Sequence, residues 1–213
     1  ITVVPCGFDP ATVEAVVPER TERRRVTVVG RLVPYKRVDV VLRAVARLAP
    51  IVPDLELVVI GQGPELDGLR KLGAELGISH LIDFRGFVER HRDVLAAVAA
   101  SHAVVSASEI EGFGIVLVEG MALGVPYAAS DIPAFREVTG SGAGGVLFPP
   151  GDDRALAEAL ATCLAAGPAH EALAIAGRER ARRYTWDAVA ARTAEVLAEV
   201  TQAGALHEVE AAG

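Results

Sequence analysis

Short runs of apolar residues alternate along the chain with longer segments in which apolar residues recur at helical spacing. Continuous apolar runs that end at glycine are typical of strands buried on both faces, and apolar residues repeating about every 3.6 positions are typical of helices. The pattern predicts strands over residues 26–30, 55–60, 81–84, 103–106, 125–129 and 145–148. It predicts helices between them over residues 38–48, 64–76, 92–100 and 113–123.

This alternation predicts a doubly wound α/β domain, Rossmann-like, with a parallel sheet and right-handed crossovers. After Pro149-Pro150-Gly151 only helices are predicted: one capped by Asp152 and ending near residue 165, then 168–183 and 185–202. Residues 1–20, which open with a strand-like ITVVPCGFDP, are expected to be an entry segment from a preceding domain. Residues 21–203 form the predicted domain, residues 140–145 a flexible loop in it, and residues 204–213 a frayed tail.

Composition narrows the class of protein. The 213 residues are 51% hydrophobic and carry a formal net charge of −7, which argues against a broad basic surface for nucleic acid. The two cysteines, Cys6 and Cys163, lie far apart, and the five histidines show no metal-ligand spacing. We therefore expect a reduced, cytoplasmic setting and no protein-bound metal. No run of about 20 apolar residues predicts a membrane span.

The loop that follows the first strand, GRLVPYK over residues 30–36, carries Arg31 and Lys36 at the sheet edge where ligands bind in this fold. An arginine that forks two oxygens and a lysine that acts as a point charge suit a diphosphate. The alternative is a solvated basic loop, since Arg37 and Arg43 are close in sequence.

A second loop, after the strand 55–60, contains Gly61 and Gly63 before a predicted helix. This resembles the start of a dinucleotide fingerprint, but Leu66 stands where the third glycine belongs and Pro64 lacks an amide donor. A tight turn lining a nucleotide pocket is the favoured interpretation, and a nicotinamide site is the alternative.

Glu119 is the only charged residue between Gly112 and Ser130, in a predicted helix that is otherwise apolar on every side. Such helices are buried, and a buried carboxylate needs hydrogen-bond donors. The vicinal hydroxyls of a ribose would supply them. The alternatives are satisfaction by Arg31, by Lys36 or by a backbone turn.

Glu111 lies in the loop before the same helix, close to Gly112 and Gly114. The amides of residues 113–116 at the helix start are a ready site for a phosphate or a sugar hydroxyl. Alternatively, Glu111 is a carboxylate favourably placed at the helix dipole. In the next loop, Arg136 or Glu137 faces the pocket or forms a surface salt bridge.

The stretch EGFGIVLVE, with seven residues between Glu111 and Glu119, resembles the EX7E signature of family-4 glycosyltransferases of GT-B architecture. The segments VPCGFDP, GRLVPYK, LVVIGQGPE, FRGFV, GVPYAASDIPAFREV, GVLFPPGD and YTWDAVAARTAEVL also resemble family segments, in family order. The resemblance covers most of the chain. It implies the C-terminal, donor-binding domain of a retaining enzyme that transfers a hexosyl group from a UDP-, GDP- or ADP-sugar.

The resemblance also implies residue roles. Arg31 and Lys36 hold the donor diphosphate, Glu111 binds the transferred sugar and Glu119 binds the ribose. The backbone at 113–115 lines the sugar and phosphate, and Gly61 and 87–88 lie near the base. The implied donor-binding set is Gly30, Arg31, Lys36, Gly61, Phe87, Val88, Glu111, Phe113, Gly114, Ile115, Val116 and Glu119. Its catalytic candidates are Glu111, Arg31 and Lys36, with neither a DxD-bound metal nor a tightly bound cofactor.

The chain departs from the family pattern in three ways. Gly120 stands where alanine is usual, and Arg37 follows Lys36 where a small residue is usual. The N-terminal half, which binds the acceptor and contacts a membrane peripherally in some members, is expected to belong to a longer protein. By itself, this chain is expected to bind donor without efficient transfer. The alternatives are a non-catalytic nucleotide-binding module and a dinucleotide-dependent oxidoreductase using Gly61 and Gly63.

Overall fold

The computed structural model describes residues 3–211, and the side chains of residues 3–201. The strands are β1 Arg24–Val29, β2 Leu55–Ile60, β3 Ile82–Gly86, β4 Ala103–Ser106, β5 Tyr127–Ser130 and β6 Gly145–Phe148. The helices are α1 Pro10–Glu14, α2 Val38–Leu48, α3 Leu66–Glu75, α4 His91–Ala99, α5 Ile115–Leu123, α6 Pro133–Thr139, α7 Asp153–Leu164, α8 Pro168–Ala181 and α9 Trp186–Ala211. Short 3-10 turns span Pro34–Lys36, Ser79–Leu81 and Arg182–Tyr184.

The six strands form one parallel sheet in the order β3-β2-β1-β4-β5-β6. Strand β1 pairs with both β2 and β4, so that Val26 stands between Leu57 and Ala103. The chain moves outward from β1 first through β2 and β3, and then through β4, β5 and β6. This order confirms the predicted doubly wound α/β fold and locates its switch point between β1 and β4.

Both faces of the sheet are covered, as the continuous apolar strands require. On one face α2 and α7 pack together over a core that includes Val28, Leu57 and Leu160. On the other face α5 and α6 pack around Val104, Tyr127 and Phe135. Helix α5 is therefore enclosed by the sheet, by α6 and by α8.

Helices α7 and α8 follow the prediction closely. Asp152 caps α7, accepting hydrogen bonds from the amides of Arg154 at 3.0 Å and Ala155 at 2.9 Å. No single helix in the described part of the chain is long and apolar enough to cross a membrane. Helix α7 and the segment Pro168–Tyr184 pass that test only as a pair, by length and composition, and they are bent by 97°.

Several helix boundaries in the structure differ from the predicted ones. Helix α5 begins at Ile115 rather than at 113, because Gly114 before it has a left-handed φ of 98°. Helix α3 begins at Leu66, two positions after Pro64. Helix α9 continues to Ala211, past the predicted end at 202, while 212 and 213 of the predicted tail lie outside the described residues. The predicted domain boundaries stay predictions.

The strand expected at the start of the chain is wrong for residues 3–10. The described part of this segment forms only an isolated parallel bridge between Phe8 and Thr185, and then enters α1. Asp9 caps α1 by accepting from the amide of Ala11 at 2.9 Å. Helix α1 was missed because its five residues are too few to show a period.

An ion-pair cluster ties the entry segment to the sheet. Arg25 on β1 is only 5% exposed, and its guanidinium contacts Glu56 on β2 and Glu19 in the entry segment, each at 2.7 Å. Glu19 also contacts Arg85 on β3 at 2.7 Å. Burial raises the pKa of Glu19, but the hydrogen bonds from Arg85 and Arg25 outweigh burial and leave this pKa below its ordinary value.

Two glycines allow the loops after β1 and β2 to meet. The φ of Gly61 is +139°, and a Cβ atom built there would lie 1.8 Å from the carbonyl oxygen of Gly30. A Cβ on Gly63 would lie 2.2 Å from the carbonyl oxygen of Leu32. Close backbone packing accounts for both glycines, so the partial fingerprint no longer favours a dinucleotide site.

We expect Gly61→Ala to destabilise the fold by about 3 kcal/mol or more, because the added methyl group meets backbone and the conformation is strained for alanine. Gly68→Ala is the matched control, since Gly68 lies in α3 and a Cβ added there would have nothing within 4 Å of it. That control should be stabilised by up to about 1 kcal/mol. Urea denaturation followed by circular dichroism measures both, and equal stability of the two variants would contradict the packing argument.

We expect Glu19→Gln to reduce the free energy of unfolding by about 1–2 kcal/mol at neutral pH, because charged hydrogen bonds to Arg25 and Arg85 weaken. Since the pKa of Glu19 is lowered on folding, its contribution is fully present above the ordinary value of 4.5 and is lost as pH falls below it. The difference in the free energy of unfolding between variant and parent should therefore shrink in acid. Exposed Glu22→Gln serves as the control, and a difference independent of pH would contradict the ion-pair explanation.

Candidate functional site

A cleft of about 970 Å³ opens beyond the carboxyl ends of β1, β2 and β4. This is the edge where ligands bind in a doubly wound sheet, at the point where the strand order reverses. All residues of the predicted donor-binding set line this cleft: Gly30, Arg31, Lys36, Gly61, Phe87, Val88, Glu111, Phe113, Gly114, Ile115, Val116 and Glu119. The fold thus brings them together, while their individual roles stay predictions.

The loop after β1 presents Lys36 to the cleft and turns Arg37 away. The 3-10 turn Pro34–Lys36 ends at Arg37, which has a left-handed φ of 48°. The Nε atom of Arg37 lies 3.0 Å from Asp39 Oδ1, and its Nη1 contacts Glu109. Because Arg37 is held by two carboxylates outside the cleft, Lys36 is the cation of this pair that faces the ligand space.

Arg31 is exposed at the cleft, and its Nη2 donates to Tyr35 Oη at 2.6 Å. The carbonyl oxygen of Tyr35 in turn accepts from the amide of Glu109 at 2.9 Å. This contact joins the loop after β1 to the loop after β4. The cationic side chains therefore stand on a turn that is fixed against the segment carrying Glu111.

Glu111 pairs with two donors. Lys36 Nζ donates to its Oε1 atom, and Ser108 Oγ donates to the same oxygen at 3.1 Å. The side chains of Lys36 and Glu111 are 20% and 17% exposed, so this pair is partly shielded from water. Ser108 itself is 1% exposed and contacts Ser106 Oγ at 3.2 Å. Glu111 is thus positioned by buried hydroxyls beneath it and by Lys36 across the cleft.

The amino terminus of α5 points into the same cleft. Its N-cap residue, Gly114, provides no side-chain hydrogen bond. The amide of Leu117 donates to the carbonyl oxygen of Gly114 at 3.0 Å, and the amides of Ile115 and Val116 are left for a ligand. A Cβ on Gly114 would lie 2.7 Å from the ring of Phe135, and the φ of 98° is strained for other residues. Glycine therefore allows the backbone to approach the ligand space at the positive end of the helix dipole.

Glu119 lies about one turn along α5 from this terminus and is 7% exposed. The partners considered for Glu119 within the protein were Arg31, Lys36 and a backbone turn. The described structure shows a different partner. His91, the first residue of α4, places Nε2 at 2.9 Å from Glu119 Oε1. Burial raises the pKa of Glu119, and the nearby imidazole of His91 acts in the opposite direction.

The structure also decides between the alternatives left open for Arg136. Arg136 forms a surface salt bridge, with its Nη2 at 2.7 Å from Asp131 Oδ2, and neither it nor Glu137 lines the cleft. Residues that line the cleft but were not proposed are Cys6, Val29, Ile60, Gln62, Glu89, His91 and Val94. Val29 and Ile60 are strand ends, so their place in the cleft follows from the fold. His91 could not be identified from the sequence, because its partner lies on another helix. In the described part of the chain, no three His, Cys, Asp or Glu residues are grouped to hold a metal ion.

The chain matches the family model described as Glycosyl transferases group 1 over residues 11–180. It is 38% identical over 178 residues to a phosphatidyl-myo-inositol mannosyltransferase of Mycobacterium leprae, covering 83% of this chain and 46% of that protein. It is 34% identical over 208 residues to a D-inositol 3-phosphate glycosyltransferase of Stackebrandtia nassauensis, covering 87% and 46%. The chain therefore spans about half the length of these curated relatives.

Solved structures show the same fold. A glycosyltransferase from Rickettsia africae superposes with a TM-score of 0.82 at 18% identity, covering 94% of this chain and 57% of that one. The Anabaena protein Alr3699/HepE, crystallised with UDP, superposes with a TM-score of 0.78 at 23% identity, covering 91% and 56%. With the family match over most of its length, the chain belongs to the group 1 glycosyltransferases and has the Rossmann-like fold of a GT-B domain.

Proposed function

We propose that this chain is the donor-binding half of a retaining glycosyltransferase, which binds a nucleoside-diphosphate sugar for transfer of its hexosyl group. The observation that carries the proposal is the convergence in one cleft of Lys36, Glu111, the open amino terminus of α5 and the buried Glu119. Cations and helix amides suit a diphosphate, and the two carboxylates suit hydroxyl groups on either side of it.

The diphosphate is bound, in this proposal, by Lys36, by Arg31 and by the amides at the start of α5. Lys36 contacts Glu111 in the described structure, so donor binding has to divide that pair. The phosphate oxygens take the ammonium group, and hydroxyls of the sugar donate to the released carboxylate. The exchange keeps both partly buried charges hydrogen-bonded, which limits the desolvation cost.

The ribose is bound by Glu119. Two vicinal hydroxyls donating to one carboxylate satisfy a group that burial otherwise penalises, and a hydrogen bond to a charged group contributes about 1.5–3 kcal/mol. The distance along α5 from its amino terminus to Glu119 is about one helical turn, which suits the span from phosphate to ribose. Phe87 and Val88, at the end of β3, then lie beside the base.

Transfer requires an acceptor site, and we propose that it is supplied by an N-terminal domain of the same protein. The support is that relatives extend over about twice the matched length. Two relatives are named for transfer to phosphatidyl-myo-inositol or inositol 3-phosphate, and we propose an inositol-bearing acceptor as the first class to test. Peripheral membrane contact, a cytoplasmic site of action and independence from metal stay predictions.

We expect Glu119→Gln to weaken binding of the preferred nucleoside diphosphate by about tenfold or more, because one charged hydrogen bond or more is lost. Isothermal titration calorimetry with UDP, GDP and ADP measures the change and identifies the base. The control is Glu158→Gln, an exposed substitution on α7. Unchanged affinity in Glu119→Gln would contradict the assignment of the ribose to this carboxylate.

We expect Lys36→Ala to weaken binding of the nucleoside diphosphate by about tenfold or more, with little effect on the unphosphorylated nucleoside, because in this proposal the phosphates are the only part of the nucleotide that the ammonium group contacts. Arg37→Ala is the matched neighbour and should leave both affinities near those of the parent, since Arg37 is held by Asp39 and Glu109. Calorimetry with each nucleoside and its diphosphate separates a loss of phosphate contacts from a loss of nucleoside contacts. A larger loss in Arg37→Ala would reverse the assignment of the phosphate-binding cation.

A further inference from the structure

His91 stands where α4 begins and reaches across to Glu119 on α5. The imidazole Nε2 lies 2.9 Å from the carboxylate Oε1, with the two side chains 59% and 10% exposed. The ring is thus open to water on one side and meets a nearly buried carboxylate on the other. A contact of this geometry between two helices fixes the carboxylate relative to the cleft.

Glu119 needs such a contact because its surroundings oppose its charge. Burial raises the pKa of the Glu119 carboxyl, and a protonated carboxyl is a poorer acceptor for two ribose hydroxyls. The imidazole of His91 counteracts burial through its charge and its hydrogen bond. Without His91, the pKa of the Glu119 carboxyl would therefore be raised further.

The other charged groups around α5 do not take this role. On α1, the Asp9 carboxylate accepts from Ala11 N and Thr12 Oγ1, each at 2.9 Å. Other charged or titratable groups near α5 include Cys6, Arg31, Lys36, Glu89 and Glu111 along the cleft, Arg90 and Asp93 on or beside α4, Arg136 and Glu137 on α6, Tyr127 on β5, and Arg178, Arg182 and Tyr184 on or after α8. Across the described side chains, His91 supplies the only basic nitrogen that pairs with Glu119 within 4.0 Å.

His91 also separates two spaces. His91, Ile115 and Glu119 line both the main cleft and a smaller recess of about 230 Å³, which Asp9, Thr12 and Trp186 also line. The imidazole therefore forms part of the wall behind Glu119. Removing the ring would leave the carboxylate facing a continuous space in which its position is less defined.

We propose that His91 is a positioning residue for nucleotide recognition, which holds Glu119 ionised and oriented toward the ribose. This inference rests on the proposed donor site. A protonated ring at 2.9 Å compensates the charge of the carboxylate. His91 thus acts on nucleotide binding through Glu119.

The proposal sets a pH dependence with a definite sign. Nucleotide affinity requires the Glu119 carboxylate, so it is present above the pKa of this group and is lost as pH falls through it. Replacing His91 removes an effect that lowers this pKa. The loss of affinity in acid therefore moves to higher pH in the variant than in the parent.

The test combines a carbon NMR titration of the Glu119 side-chain carboxyl with calorimetry of UDP and GDP binding across the same pH range. We expect His91→Ala to raise the Glu119 pKa and to weaken binding about tenfold near neutral pH. His91→Gln, which keeps a donor but not a charge, should recover affinity near neutral pH and still lose it early in acid. His80→Ala, in an exposed turn, is the control and should match the parent.

The two readouts separate this inference from the proposed function. An unchanged Glu119 pKa in His91→Ala overturns the inference, whatever the nucleotide data show. If Glu119→Gln loses nucleotide while His91→Ala keeps the parent affinity and pH profile, the donor site stands and the role of His91 is refuted. If the parent binds no nucleoside diphosphate, the proposed function fails, and a raised pKa in His91→Ala still supports control of Glu119 ionisation by His91.

Discussion

Strand β1 pairs with β2 on one side and β4 on the other, and the chain leaves this pair of neighbours in opposite directions. The loops that follow β1 and β4 consequently diverge to opposite faces of the sheet and leave a cleft between them. Arg31, Lys36, Glu111 and Glu119 all stand on one of these loops or on the helix α5 that follows the second of them. The position of the site is therefore a consequence of strand order, and this order lets helices cover both faces of the apolar strands.

Within the cleft, two carboxylates are each paired with a basic side chain, Glu111 with Lys36 and Glu119 with His91. The pairs differ in burial. Glu111 and Lys36 are similarly shielded, so a ligand that offers phosphate to one and hydroxyls to the other can replace their mutual contact. Glu119 is far more buried than His91, so a ligand that donates to its carboxylate adds to the histidine contact. The Lys36–Glu111 pair is thus suited to exchanging its mutual contact for ligand contacts, and in the His91–Glu119 pair the histidine is suited to holding the carboxylate while a ligand binds.

Much of this arrangement could be predicted from the sequence, because the strongest patterns in the sequence are local. The apolar runs of β1, β2 and β4 mark buried strands without reference to the rest of the chain, and Glu119 is conspicuous as a lone charge in an apolar helix. The partner of Glu119 could not be predicted in this way. His91 lies 28 positions earlier in an ordinary polar segment, and only the packing of α4 against α5 brings it to the carboxylate.

The same limit applies to backbone detail. The start of α5 was predicted at 113 because the apolar pattern continues through Gly114. That glycine has a left-handed conformation and packs against Phe135, and the pattern indicates neither. The bridge from Phe8 to Thr185 joins the two ends of the described domain, and no periodic pattern records a contact at that separation. Periodic patterns along the chain indicate which residues are buried. The contacts described here depend instead on how the chain runs from one helix or strand to the next.

Gly120 connects the packing of α5 with the depth of the site. Glycine in a helix costs about 1 kcal/mol relative to alanine, and family-4 enzymes usually have alanine here. A Cβ at this position would lie 3.2 Å from Val104 Cγ2 on β4, which is a tight contact. The missing methyl group therefore lets α5 lie closer to the sheet than alanine would allow. Because Glu119 precedes Gly120 directly, this closer packing helps to set how deeply the carboxylate is buried, and hence how strongly it depends on His91.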